Sequence, residues 1–139
     1  MFSRDLAITP NPPISAPALW IGRVLSGLVI LFLLMDGAMK LVPFGFVEEA
    51  SRQLGYPAEL ARTLGILLLL GTLLYAVPRT SVLGAILLTG YLGGAISTHL
   101  RVGSPLLTHT LFGLYLGLFI WGGLFLRDPR VRALIPIRA

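Results

Sequence analysis

The sequence SVLGAILLTGYLGGAISTHL, from Ser81 to Leu100, decides the fold of this chain. It contains no aspartate, glutamate, lysine or arginine, and it has the roughly 20 residues that a helix needs to cross a bilayer. Small side chains recur in it at every fourth position, in one row of Ala85, Thr89, Gly93 and Ser97 and a second row of Gly90, Gly94 and Thr98. Residues at this spacing share one face of a helix, and small residues let helices pack closely in lipid. The stretch therefore predicts a membrane helix enclosed by other helices.

The same spacing recurs in other apolar segments. Gly113 and Gly117 repeat it late in the chain, and Gly22 and Ser26 repeat it weakly near the start. We interpret these rows as packing surfaces between helices of one bundle. A homodimer seam is the functional alternative, because close packing of small residues also joins separate subunits in a membrane.

The composition as a whole is that of a membrane protein. Of the 139 residues, 55% are hydrophobic and only 12% are charged, whereas soluble domains have about 25% charged residues. This composition excludes a soluble enzyme and a nucleic-acid binder, and the bilayer itself is the expected partner. The chain has no cysteine, which excludes thiol chemistry and iron–sulfur clusters held by its own side chains.

Four apolar segments are long enough to cross a bilayer, at about 19–41, 60–77, 81–100 and 106–126. The predicted fold is all-α, a four-helix transmembrane domain (19–126) between a flexible N-terminal tail (1–18) and a basic C-terminal tail (127–139).

The long connection at 43–57 has an apolar and a charged face, which predicts a short amphipathic helix between the first two spans. Such a helix lies in the membrane interface or rests on the bundle, and the pattern does not separate these two arrangements.

An even number of crossings puts both termini on one side of the membrane. That side holds Arg4, Arg23, Arg79, Arg127, Arg130, Arg132 and Arg138. The opposite side holds fewer cations, which Glu48, Glu49 and Glu59 offset. Because basic residues are retained in the cytoplasm, the sequence predicts a multi-pass membrane protein with both tails cytoplasmic.

The four predicted spans bring titratable side chains to one layer near the outer surface. These are Asp36, Lys40, Arg62, His99, Arg101 and His109. Ionisable groups inside a span are costly and face a partner or a cavity. One interpretation is a structural tie of Asp36, Lys40 and Arg101. The other is a pocket that binds a polar headgroup, a quinone carbonyl or a transferred proton.

Catalytic and cofactor motifs are not found in the sequence. There is no zinc-protease pattern, nucleophile elbow, phosphate loop or nucleotide fingerprint, so a non-enzymatic role is favoured. Two histidines without a spacing motif are a weak metal signal, and no metal site is predicted. Their place near the surface disfavours haem.

Four stretches of the sequence resemble the DoxX-like family of small bacterial membrane proteins. They are GAMKL (37–41), LGYP (54–57), PRTSVLGAILLTGYLGGAISTHLRVG (78–103) and LRDPRVRALIP (126–136). The resemblance implies a four-helix bundle of the bacterial inner membrane and a link to quinol oxidase or thiosulfate–quinone oxidoreductase. Some relatives act instead in oxidative-stress complexes, receptor assembly or cargo transport, so the resemblance implies little about activity. Where relatives carry a glutamate in a pattern like LGxLEL, this chain has Leu68, which weakens an intrinsic redox role.

The first hypothesis is therefore a non-enzymatic membrane protein that binds a quinone- or lipid-like molecule, or a partner membrane protein, through the polar layer. The alternative is a redox accessory subunit of a quinone-linked oxidoreductase, with quinone as the expected cofactor. A small transporter ranks last, because it needs polar groups near the midplane and Thr89 and Tyr91 are nearly all that the sequence offers there.

Overall fold

The computed structural model describes residues 13–42 and 44–135, and within these ranges every regular element is helical. The α-helices are α1 (Ala16–Leu41), α2 (Gly45–Gln53), α3 (Leu60–Ala76), α4 (Ser81–Arg101), α5 (Phe112–Arg127) and α6 (Pro129–Leu134). A five-residue π-helix, Leu106–Thr110, leads directly into α5. The predicted all-α class is confirmed, and the helix predicted in the 43–57 connection is α2.

Helix α1 begins three residues before the predicted start of the first span. Ser15 is extended, and its hydroxyl accepts a hydrogen bond from the Ala18 amide at 3.4 Å. Pro17 lies in the first turn, where its missing N–H group costs nothing. These local signals extend the helix into the predicted N-terminal tail, of which residues 1–12 lie outside the described residues.

Four helices form an antiparallel ring in the order α1, α3, α4, α5, each packed against its two neighbours. The direction of α3 against α1 follows from two contacts, Ser26 with Tyr75 and Gly37 with Gly65. We call the half of the bundle that contains the start of α1, the α3–α4 turn and α6 the terminal half. The other half, with α2 and the α4–α5 connection, is the loop half.

Three of these helical segments are long and apolar enough to cross a membrane: Ala16–Leu41, Ser81–Arg101 and Leu106–Arg127. Helix α3 is apolar but has 17 residues, which rise about 26 Å against a hydrocarbon core of about 30 Å. The fourth predicted crossing, by α3, therefore stays a prediction.

The terminal half is closely packed around a chain of hydrogen bonds that joins three helices. The Tyr75 hydroxyl donates to the Ile120 carbonyl at 2.8 Å, so Ser26 must donate to the Tyr75 oxygen at 3.0 Å. Arg127 Nε then donates to Ser26 Oγ at 2.9 Å. Because Tyr75 is fully buried, this chain satisfies its hydroxyl without water.

Glycines allow the backbones to approach closely in the terminal half. A Cβ atom on Gly84 would overlap the Tyr75 backbone, and one on Gly22 would lie 2.9 Å from the Gly123 carbonyl oxygen. The weakly patterned pair Gly22 and Ser26 is thus a contact surface of α1 against α5.

The rows of small residues on α4 behave differently from the prediction. A Cβ atom on Gly90, Gly93, Gly94 or Gly117 would meet no atom within 4 Å, and Thr89 and Ser97 are exposed. Within one chain, Gly90, Gly93, Gly94, Ser97 and Gly117 are therefore not helix-packing surfaces, which corrects the prediction for them. Thr89 does contact α5, because its hydroxyl accepts a hydrogen bond from Trp121 Nε1 at 2.8 Å. Ala85 is fully buried and Gly113 contacts Ile96, as packing residues should. The spacing identifies small residues on one face but not whether that face meets a helix, a cavity or lipid.

Candidate functional site

A cavity of about 530 Å³ occupies the loop half of the bundle. All four ring helices line it, and α2 covers it. Its deep part is apolar, with the buried side chains of Leu33, Leu68 and Leu92. Gly90 and Gly94 line the same space, and because they lack side chains they leave it open on the α4 side.

Helix α2 covers the cavity with the apolar face that its sequence predicts. Val47, Ala50 and Leu54 line the cavity. On the charged face, Arg52 lies 3.7 Å from Glu48 and 3.5 Å from Glu49, the i, i+4 and i, i+3 pairings of a helix. No residue of α2 is fully buried, so the helix forms a thin cover over the bundle rather than a part of its core.

Two hydrogen bonds tie the C-terminal end of α2 and the turn after it to α4. Arg101 donates from Nη2 to the Leu54 carbonyl at 2.8 Å. The Thr98 hydroxyl donates to the Gly94 carbonyl at 2.9 Å, so the Tyr56 hydroxyl is the donor in its 2.6 Å bond to Thr98. The cover is thus attached to the same helix that supplies the polar wall of the cavity.

Asp36 and Lys40 form an ion pair in the wall that α1 contributes. The two residues are one helical turn apart, and Lys40 Nζ donates to Asp36 Oδ2. Both line the cavity, with 31% of the Asp36 side chain and 24% of the Lys40 side chain exposed. Of the predicted structural tie of Asp36, Lys40 and Arg101, the Asp36–Lys40 pair is present, whereas Arg101 donates to the Leu54 carbonyl at the end of α2.

His99 and His109 lie together where the cavity opens beneath the end of α2. Their ring centroids are 6.0 Å apart at an angle of 62°. A hydroxyl holds each ring through Nδ1: Ser104 Oγ lies 2.9 Å from that of His99, and Thr108 Oγ1 lies 2.8 Å from that of His109. Both rings also line an adjoining recess of about 360 Å³.

The π-helix presents His109 to this opening. Short π-helical turns are rare and frequently occur at functional sites. The described part of the chain holds no group of three or more side chains suited to bind a metal ion. The two imidazoles therefore form a polar mouth of the cavity and not a recognisable metal centre.

The structure brings together four of the six titratable residues that the sequence singles out. Asp36, Lys40, His99 and His109 line one cavity, although they come from three separate segments. Arg62 is exposed on α3 and does not line this cavity, and Arg101 is exposed and holds α2.

Sequence reasoning assigned neither Tyr91 nor Tyr56 to the site, although it noted Tyr91 as a polar group near the midplane. Tyr91 is half-buried in the cavity wall, and among the described residues its hydroxyl has no hydrogen-bond partner. Tyr91 and His99 are eight positions apart, so they share a face of α4, and this spacing could have found Tyr91. Tyr56 lies outside the predicted spans, and the sequence carries no signal that its hydroxyl meets Thr98.

These features define an all-helical membrane protein with a ligand-sized cavity in one half of its bundle. The chain belongs to the DoxX-like family, whose family model matches residues 24–123. The match confirms the resemblance seen in the sequence and spans most of α1 through most of α5, with the whole cavity wall. No curated protein matches the chain, and no solved structure matches it.

Proposed function

We propose that this protein is a non-enzymatic binder of a quinone- or lipid-like small molecule that occupies the cavity of the loop half. The observation that carries this proposal is the cavity itself, with an apolar floor and with hydrogen-bonding side chains in its upper walls. Its volume of about 530 Å³ lies in the roughly 300–1,000 Å³ range of small-molecule pockets.

The distribution of side chains suits a molecule with one polar end. Leu33, Leu68 and Leu92 surround the deep part, where an apolar chain is removed from water. Tyr91, with a hydroxyl free to donate and accept, and Lys40, with ammonium protons beyond the one given to Asp36, offer hydrogen bonds to a polar end.

A quinone fits this donor set, because its carbonyl oxygens require hydrogen bonds and its isoprenoid tail requires an apolar channel. The redox accessory role has less support. The position where relatives carry a glutamate is Leu68, which is fully buried in the floor, so the deep cavity offers no carboxylate there to accept a proton. Binding without electron transfer is the simpler function for these residues.

For the membrane arrangement, we propose that α3 crosses together with α1, α4 and α5, and that the terminal half faces the cytoplasm of a bacterial inner membrane. The arginines of the terminal half support this orientation, because basic residues are retained on the cytoplasmic side. Helix α2 would then lie at the periplasmic interface. Its stacked Phe44 and Phe46, with ring centroids 5.3 Å apart and both exposed, suit contact with lipid.

The binding proposal is tested by filling the cavity. The protein is purified gently from its native membrane, and small molecules are extracted and measured by mass spectrometry. Gly94→Leu places a side chain in the cavity, whereas Gly93→Leu is the matched control on the same helix and does not line the cavity. We expect a molecule that copurifies with the parent and with Gly93→Leu and is lost from Gly94→Leu. Equal retention by both variants, or a parent that retains only bulk lipid in bulk proportions, contradicts the proposal.

The orientation is tested with single cysteines, which the natural chain lacks. Gln53 in α2 and Arg79 in the α3–α4 turn are both exposed and lie in opposite halves of the bundle. A membrane-impermeant maleimide added to intact cells whose outer membrane has been permeabilised should label Gln53→Cys and leave Arg79→Cys unlabelled. The reverse pattern overturns the orientation, and labelling of both positions overturns the crossing by α3, which alone lies between them.

A further inference from the structure

The charges of the cavity wall indicate what kind of polar end the bound molecule has. We infer that the cavity selects amphiphiles without net charge and rejects anionic and cationic amphiphiles with the same apolar chain. This inference rests on the proposed function, because it concerns the ligand of the same cavity.

Charge compensation within the wall is the first ground. Asp36 and Lys40 are the two residues with full charges that line the cavity among those the structure describes, and they pair with each other. A carboxylate or phosphate placed there would have to compete with Asp36 for the ammonium group of Lys40. An ammonium group would have to compete with Lys40 for Asp36. Neither ion finds a free counter-charge, and moving an uncompensated ion from water into such a site is costly.

The positions of the nearby cations are the second ground. The nearby cations do not offer a free positive charge to an anion in the cavity. Arg101 donates to the Leu54 carbonyl, and Arg62 is exposed on α3 and does not line the cavity. The uncharged side chains that remain for a ligand are the hydroxyls of Tyr91 and Ser51 and the imidazoles of His99 and His109. These groups bind hydroxyl, ester or carbonyl oxygens without adding charge.

The test compares three amphiphiles with the same dodecyl chain: dodecanol, dodecanesulfonate and dodecyltrimethylammonium. The full chain is equilibrated in lipid nanodiscs that contain equal, low amounts of all three. Native mass spectrometry then reads which of them each protein retains. The measurements are made at about pH 8, above the ordinary imidazole pKa of about 6.5. For the parent protein we expect dodecanol to exceed each ion by about tenfold or more, because an unpaired charge in a partly buried site changes binding by factors of this order.

Two substitutions should reverse the selectivity in opposite directions. Asp36→Asn leaves Lys40 without its carboxylate, so the retained ratio of sulfonate to dodecanol should rise about tenfold. Lys40→Met leaves Asp36 without its cation, so the ratio of trimethylammonium to dodecanol should rise by a similar factor. Glu59→Gln is the control for the change in net charge, because Glu59 is exposed and does not line the cavity, and it should alter neither ratio.

The outcomes separate this inference from the function on which it rests. If the parent retains dodecanol and an ion equally, or if Asp36→Asn gains no sulfonate, the inference is overturned while binding in the cavity stands. If the parent retains none of the three above the level of Gly94→Leu, the proposed function fails together with it. A gain of sulfonate by Asp36→Asn together with a gain of trimethylammonium by Lys40→Met supports the inference, because misfolding cannot produce opposite gains.

Discussion

Helix α4 uses glycine for opposite purposes in the two halves of this bundle. In the terminal half, Gly84 and Gly22 bring backbones into contact, and a buried chain of hydrogen bonds centred on Tyr75 joins three helices. In the loop half, Gly90 and Gly94 of α4 face open space beside the cavity, whereas α1 and α3 still meet closely at Gly37 and Gly65. The closely packed half thus holds the four helices together, while the other half encloses a cavity.

The largest expected difference in stability is between a methyl group added to the terminal half and a methyl group added to the loop half. Gly84→Ala forces a Cβ atom to within 2.6 Å of the Tyr75 Cα, and since backbone cannot move aside, we expect a loss of about 3 kcal/mol in the free energy of unfolding. Gly90→Ala meets no atom within 4 Å, and because alanine favours helix over glycine it should be neutral or stabilising by up to about 1 kcal/mol. Unfolding in mixed micelles, followed by circular dichroism, measures both. Equal stabilities for the two variants would show that the halves do not differ in packing.

A smaller effect is expected from removing one hydroxyl group in each half. Tyr75→Phe breaks two hydrogen bonds at a fully buried hydroxyl and leaves Ser26 without its acceptor, which should cost roughly 1–3 kcal/mol. Tyr56→Phe leaves Thr98 bonded to the Gly94 carbonyl in a half-buried site, and should cost about 0.5–1 kcal/mol. The same unfolding measurement ranks them. A larger loss for Tyr56→Phe would mean that the α2 cover, and not the Tyr75 chain, holds the helices together.

The sequence predicted the features that a local sequence pattern causes directly. Long apolar segments become helices, the two-faced segment at 43–57 becomes α2, and Asp36 and Lys40 pair because helical geometry puts them one turn apart. The antiparallel ring also follows from the short connections. The gathering of Asp36, His99 and His109 around one cavity agrees with the depth at which each lies in its span.

The sequence could not predict which neighbour each face of a helix would meet. The rows on α4 have the spacing of a packing surface, yet Gly94 lines a cavity and Gly93 is exposed, because rotation of a helix within a bundle depends on all its neighbours. The basic end of the chain was predicted as a tail, but α6 forms there and buries Val131. The signal for α6 was present in Asp128 followed by Pro129, an N-cap and a first-turn proline.

The smallest expected effect is the loss of the N-cap of α6. Its dependence on pH should distinguish it from the loss of the N-cap of α1. The Asp128 carboxylate accepts a hydrogen bond from the Arg130 amide at 2.9 Å, and the Arg130 guanidinium at 3.1 Å helps to hold the pKa of Asp128 below its usual range. Because the folded pKa is lowered, the stabilisation is fully present above the unfolded pKa of about 3.9 and is lost as pH falls through the folded value. Asp128→Ala should therefore cost about 0.5 kcal/mol near neutral pH, the lower end for the loss of an N-cap, and progressively less in acid. Ser15→Ala removes the uncharged cap of α1 and should cost an amount that does not change with pH. If the two losses follow the same pH dependence, α6 is not held by an ionised cap, and its docking depends on other contacts, such as buried Val131 and the hydrogen bond from Arg132 Nε to the Phe125 carbonyl.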